Sequence, residues 1–214
     1  MKLVIGGAGG FGREVAQWYT DVLIAQGFGL PYAKKAIVFF DEFTKDTFVN
    51  GFKVIKSPQE LNVNYKGAYC ISAIGDNEKR LQLLKKMEEA GLRRCPPIIH
   101  PSSVVSDYVE IGPGSIICPR SIISVNTSIG SNCIVNLNST IGHDTKIGSD
   151  CNLAPGVNVS GSVKIGHSVN VGTNSAIREK LNIGNFVTIG MGSVVVKDID
   201  SNVLVLGNPA KARE

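Results

Sequence analysis

From Ile99 onward the chain repeats an aliphatic position every six residues: Ile99, Val105, Ile111, Ile117, Ile123, Ile129, Val135, Ile141, Ile147, Leu153, Val159, Ile165, Val171, Ile177, Ile183, Ile189 and Val195. All 17 positions carry Ile, Val or Leu, and no insertion breaks the register. The next residue is often glycine, as at Gly112, Gly130, Gly142, Gly148, Gly166, Gly172, Gly184 and Gly190. Glycine at a fixed place in a short period marks a tight corner. Two residues before the aliphatic position the side chain is mostly small or β-branched, from Ser103 and Val109 through Cys133, Cys151 and Val169. Strand alternation makes this a second inward position. The pattern predicts short strands and corners stacked coil upon coil.

Residues 1–97 follow another rhythm. Strands are predicted at 2–6, 36–40, 53–55 and 69–74, and helices after Gly12 and from Asp76 to Ala90, with Leu81, Leu84 and Met87 inward. Gly91 stops the second helix and Pro96-Pro97 leads into the repeat. Two domains are expected: a small parallel α/β unit over 1–97 and the repeat with its tail over 98–214. A six-residue [LIV]-G repeat resembles the hexapeptide left-handed parallel β-helix, in which three hexapeptides make one triangular coil. The resemblance implies about five coils over residues 99–195, roughly 25 Å tall at strand spacing.

Charge and cysteine use narrow the function. Lys plus Arg number 22 against 18 Asp plus Glu, a formal charge of +4 with no long run of one sign. This is too mild to argue for nucleic acid, though it suits anionic small substrates. No apolar stretch reaches the roughly 18–20 residues of a membrane span, and the N-terminus enters a strand without a basic leader, so a cytoplasmic protein with no membrane contact is expected. The five cysteines are odd in number and lack a C-x-x-C pair, which predicts reduced, packed thiols and no metal site.

In "GGAGGFG", Gly7, Gly9 and Gly12 fit G-x-G-x-x-G ahead of a helix. Such a turn offers backbone N–H groups and a helix dipole to a phosphate. Dinucleotide binding also needs a second mononucleotide half and an acidic residue about 20 positions on. Here Asp41 and Glu42 come later, and the repeat begins before a second half is built. One half-Rossmann unit should hold one nucleotide rather than a nicotinamide cofactor. Gly75, Asp76 and Asn77 end another strand at the same carboxyl edge, although Asp76 or Asn77 also suits a helix N-cap.

Of the three histidines, His100 opens the repeat and His167 occupies a corner, where either suits a solvated surface. His143 is followed by Asp144, and a carboxylate beside an imidazole orients it and raises its basicity. His143 lies on a corner two residues past Ile141, with Val125 and Gly161 its column neighbours at minus and plus 18. Gly161 is expected to leave space beside the ring and an uncovered N–H. A base next to an exposed amide suits acyl transfer, one taking a proton and the other holding the oxyanion.

The small α/β unit, "IGHD", "APGVNVSGSVKIG", "GMGSVVVKDI" and the terminal "VLGNPAKA" together resemble the bacterial nucleotide-aminosugar N-acetyltransferases, related to enzymes of the bacillosamine, perosamine and sialic acid pathways. The resemblance covers essentially the whole chain. It implies a homotrimer with acetyl-CoA in the groove between neighbouring β-helices, a nucleotide-linked amino sugar held by the N-terminal domain, and a place in polysaccharide biosynthesis. It makes His143 the general base, Asp144 its orienting carboxylate and Gly161 the oxyanion N–H. It places Gly9, Gly10 and Phe11 near the pyrophosphate, Asp41 and Glu42 near the base, Gly75, Asp76 and Asn77 at the same mouth, and Asn136 and Asn138 toward the sugar. Asn152, Gly161, Thr173, Met191, Lys197 and Lys211, with Arg213, are its acetyl-CoA candidates. Two departures matter: Asn152 stands where many relatives carry histidine, and Phe11 where "GxGGHG" has one. The alternatives are a sugar O-acetyltransferase of the same fold and a noncatalytic sugar-nucleotide-binding β-helix.

Overall fold

The computed structural model describes residues 2–213, and the chain divides into two compact units at Pro101/Ser102. In the first, β1 (Leu3–Gly6) and α1 (Gly10–Ala25) are followed by α2 (Leu30–Ala36), β2 (Ile37–Phe40), β3 (Phe48–Val49) and β4 (Phe52–Ile55). Then come α3 (Pro58–Tyr65), β5 (Tyr69–Ser72), α4 (Asn77–Glu89) and β6 (Arg93–Arg94). The sheet order is β3-β4-β2-β1-β5-β6, parallel except for the β3–β4 hairpin. Strands β1 and β2 are buried along their whole length, as parallel strands covered on both faces must be. Val4, Val38, Phe40, Cys70, Leu84 and Met87 form one core beneath them.

All four expected strands are present, while α2, α3, β3 and β6 are additions. The β3–β4 turn is Asn50-Gly51, both at positive φ, the pair that a tight type I′ hairpin favours. α1 begins at Gly10, before Gly12. A β-carbon on Gly12 would lie 1.9 Å from the Gly7 carbonyl oxygen, so this glycine serves the packing of helix on turn. In α4, Leu84 and Met87 are fully buried as expected, but Leu81 is half-buried and the stripe continues through Arg80, 1% exposed.

The second unit stacks two-residue parallel strands on three faces. The first face includes Ile116–Ile117, Ile134–Val135, Asn152–Leu153, Asn170–Val171, Thr188–Ile189 and Leu204–Leu206. The second runs from Val104–Val105 through Ile122–Ile123, Thr140–Ile141, Asn158–Val159 and Ala176–Ile177 to Val194–Val195. The third comprises Glu110–Ile111, Ser128–Ile129, Lys146–Ile147, Lys164–Ile165 and Asn182–Ile183. Partners are 18 residues apart, as in Ile141↔Val159, except at the last step of the first face, where Ile189 pairs with Val205, 16 residues on. From Ile117 to Val195 every sixth aliphatic is buried, each contributing roughly 1.5–3 kcal/mol. In the first coil Val105 and Ile111 are only half-buried, because no coil of this unit precedes them. Ser115, Ser121, Ser139, Ser175 and Thr145 at the second inward position donate to carbonyls 15 residues ahead, which satisfies hydroxyls within an apolar prism. Cys133 and Cys151 do likewise through Sγ.

Each coil turns its corners with a left-handed residue, including Asn126, Asn132, Asn138, Asp144 and Asp150. Asn and Asp tolerate that conformation best among residues with a side chain, which explains their density at corners. A closing strand, Lys211–Ala212, adds antiparallel to Leu204–Leu206. No helix among the described residues is long and apolar enough to cross a membrane.

Candidate active site

His143 leaves the second face at the corner leading to Lys146–Ile147. Its Nδ1 is 2.7 Å from Asp144 Oδ2. An ionised carboxylate only accepts, so Nδ1–H donates and the Nε2 lone pair is left for chemistry. Asp144 Oδ1 accepts from Asn126 Nδ2 at 3.2 Å. These two hydrogen bonds, the His143 one foremost, hold the Asp144 carboxyl below its ordinary range. Both side chains of the dyad are more than half exposed.

Gly161 lies beside the ring, but its expected open space is corrected. A β-carbon there would be 2.6 Å from His143 Nε2 and 2.7 Å from Cε1, so the imidazole itself fills the place a side chain would take. At the next corner the chain N–H groups are consumed by side chains one coil on: Ser131 N–H donates to Ser149 Oγ, Ser149 N–H to His167 Nδ1 and His167 N–H to Asn185 Oδ1. His167 is therefore part of a structural ladder. Gly161 has no side chain to take the His143 N–H, and its own N–H makes no hydrogen bond among the described residues.

The remaining β-helix candidates do not gather at this corner. Thr173 and Met191 stack 18 residues apart where the first face turns into the second, and Asn152 lies on the first face. Asn136 and Asn138 also belong to the corner between the first and second faces, and Asn136 Oδ1 accepts from the N–H of the next residue, Leu137, at 2.8 Å. Met191 is 77% exposed. Lys197 and Lys211 line a cavity of about 410 Å³ with Val195, Val205, Pro209 and Ala212 at the end of the prism. Arg213 is exposed and pairs through its backbone with Leu204.

In the first unit the carboxyl ends of β1, β2 and β5 converge. Gly9 is the N-cap of α1 with no side-chain cap, and the first turn holds no acidic residue. α3 and α4, by contrast, are capped by Ser57 and Asp76. Nothing lies within 4 Å of a β-carbon built on Gly9 or Gly10, so internal packing does not demand glycine at either. Phe11 packs edge-on against Trp18, centroids 5.8 Å apart. Asp41 is engaged by backbone: Oδ2 accepts from Ala8 at 2.9 Å and Oδ1 from Phe43 and Thr44 at 3.0 and 3.2 Å. It ties the glycine turn to the end of β2. Glu42 pairs with Lys86 of α4.

Asp76 is the N-cap of α4, accepting from Lys79 N–H at 2.9 Å, while Asn77 is buried and Gly75 exposed. The residue missed by the sequence reading is Arg80. Its guanidinium donates to the carbonyls of Ile74 and Gly75 at 3.1 and 3.2 Å and to Asn77 Oδ1 at 2.9 Å. The signal was present in "GDNEKRLQLLKKM": the stripe through Leu84 and Met87, extended one turn back, lands on arginine. An arginine on a buried face implies fixed acceptors.

Residues 2–87 match the PglD N-terminal domain family. The chain is 35% identical over 111 residues to a GDP-perosamine N-acetyltransferase of Escherichia coli O157:H7, covering 52% of this chain and 48% of that protein. The match thus spans about half the length of that curated relative. The acetyltransferase domain of PglB from Neisseria gonorrhoeae FA1090 is 32% identical over 99% of each chain, with a TM-score of 0.87, and has also been solved in complex with acetyl coenzyme A. PerB from Caulobacter crescentus, in complex with CoA and GDP-perosamine, is 29% identical over 100% of this chain and 98% of that one, with a TM-score of 0.86. With the α/β unit and the β-helix both matched, the chain belongs to the nucleotide-aminosugar N-acetyltransferase family.

Proposed function

We propose that the protein transfers an acetyl group from acetyl-CoA to the amine of a nucleotide-linked amino-deoxy sugar, a 4-amino-4,6-dideoxy sugar, with His143 as general base. The observation that carries this reading is the His143–Asp144 dyad with its Nε2 beside Gly161. The amine nitrogen attacks the thioester carbonyl carbon and a C–N bond forms. Nε2 takes the amine proton, and Asp144 stabilises the resulting imidazolium through Nδ1–H. The carbonyl oxygen becomes an oxyanion within reach of the Gly161 N–H. Collapse breaks the C–S bond, and the departing CoA thiolate recovers the proton from Nε2. No acyl-enzyme is required.

The first unit supplies the handle. The uncapped start of α1 and the vacant surroundings of Gly9 and Gly10 suit a pyrophosphate. Asp41, with both oxygens engaged, acts on the nucleotide by shaping the turn, while the more accessible Glu42 faces the base. On the β-helix, Asn152, Thr173, Met191, Lys197 and Lys211 serve acetyl-CoA. Their separation from the His143 corner supports a homotrimer in which neighbouring prisms complete the site together.

His143→Ala is expected to lower turnover by at least about a hundredfold, the range for loss of a general base, with folding intact. Acetyl-CoA offered with UDP-, dTDP- and GDP-linked 4-amino-6-deoxy sugars, followed by thiol release, tests the acceptor. Release with a sugar hydroxyl and with none of the amines would overturn the reading.

A further inference from the structure

The corner that carries Asp144 contains a bond that the transfer reaction alone does not explain. We infer that Asn126 is a positioning residue for the base, acting through Asp144; the inference rests on His143 being that base. Asn126 and Asp144 are 18 residues apart, stacked on successive coils, both left-handed at φ 57° and 58°. The carboxylate uses its two oxygens in two directions: Oδ2 receives Nδ1–H of His143 at 2.7 Å and Oδ1 receives Nδ2–H of Asn126 at 3.2 Å. A carboxylate held at one oxygen alone swings about χ2. Held at both, its plane is set, and with it the direction in which Nε2 points past Gly161.

The same chain carries an internal control. Asn132 Nδ2 donates to Asp150 Oδ1 at 2.7 Å, again between left-handed corner residues 18 apart, but the residue before Asp150 is Ser149. The stacked amide–carboxylate pair therefore recurs one corner away on an aspartate that follows a serine, whereas Asp144 follows His143 and bonds to its ring.

Two variants keep the left-handed backbone while removing the bond. Asn126→Gly deletes the donor, and Asn126→Asp replaces it with a charge. Both leave Asp144 with less competition for its negative charge, so its hold on the imidazolium strengthens. The other charged and titratable side chains of this corner, Asp107 and Tyr108 one coil from Asn126, Glu179 and Lys180 two coils beyond the dyad, and Lys146 at the start of the next strand, are untouched.

The experiment is the pH profile of kcat/KM for Asn126→Gly, Asn126→Asp, Asn132→Gly and His143→Ala, with thermal melts. Titration of the amine is common to all, so differences between them belong to the protein. Asn126→Gly is expected to lower kcat roughly three- to tenfold, the loss of one hydrogen bond, with both KM values within about twofold. Its acidic limb should move up and that of Asn126→Asp further, while Asn132→Gly shifts only the melt. An unmoved limb and kcat in Asn126→Gly, or the same shift in Asn132→Gly, would overturn the inference. If His143→Ala retains turnover, the underlying reading fails instead.

Discussion

At the residue scale, the site depends on what Gly161 lacks. The imidazole of His143 occupies the volume of an absent β-carbon, so Gly161→Ala must push Nε2 aside while leaving the corner backbone unstrained. The variant should melt within a few degrees of wild type and lose roughly 10- to 100-fold in kcat, since small misplacements of a base are costly. A steady-state assay beside a melting curve checks both halves. Asp144 gives a pH prediction of definite sign. Its carboxyl is depressed by the bonds from His143 and Asn126, so it remains ionised across the neutral range and loses its charge only as pH falls through the lowered value. The acidic limb of kcat/KM is therefore not set by Asp144 losing its charge. Asp144→Asn, which keeps a residue suited to the left-handed corner, should reduce kcat strongly and move that limb down, because the imidazolium loses its anionic partner.

At the element scale, the glycine turn separates packing from the proposed binding. A β-carbon on Gly12 meets the Gly7 carbonyl at 1.9 Å, whereas one on Gly9 meets nothing within 4 Å. Gly12→Ala is expected to destabilise the first unit, and Gly9→Ala to melt normally while raising KM for the nucleotide sugar and leaving KM for acetyl-CoA unchanged. Equal melting of the two variants would refute this division. The six-residue period and the four strands were legible because burial alone dictates them. Helix α3 was not, since "PQELNVNY" offers only Leu61 and Tyr65 to the core. The role of Asp41 was hidden for another reason: its partners are the backbone N–H groups of Ala8, Phe43 and Thr44, which no residue type announces. Arg80 was missed because an apolar stripe was sought and the buried face carries a charge. Removing that guanidinium in Arg80→Met takes the donors from the carbonyls of Ile74 and Gly75 and from the buried Asn77 side chain and should cost on the order of 1–3 kcal/mol, read by denaturant unfolding.

At the scale of the whole molecule, the question is whether one chain can hold a complete site. The dyad stands at the corner between the second and third faces, Thr173 and Met191 at the corner between the first and second, so a full face separates them. That second face carries Val104 and Ile122 outward, 58% and 47% exposed, and Met191 projects at 77%. If neighbouring prisms meet there, the base of one subunit faces the cofactor residues of the next, and function becomes a property of pairs. Met191→Arg, at an exposed position, should fold normally and abolish acetyl-CoA turnover, as His143→Ala is expected to remove base catalysis on the proposed reading. Mixed trimers of the two inactive variants then contain interfaces where an intact His143 meets an intact Met191. With random assortment about a quarter of the interfaces are of this kind, so co-expression should restore about a quarter of wild-type activity. A site confined to one chain predicts no recovery at any mixing ratio, since every subunit carries a lesion. Sedimentation of the same samples establishes whether trimers formed, so that absent recovery in a verified mixed trimer would place the whole site within a single prism.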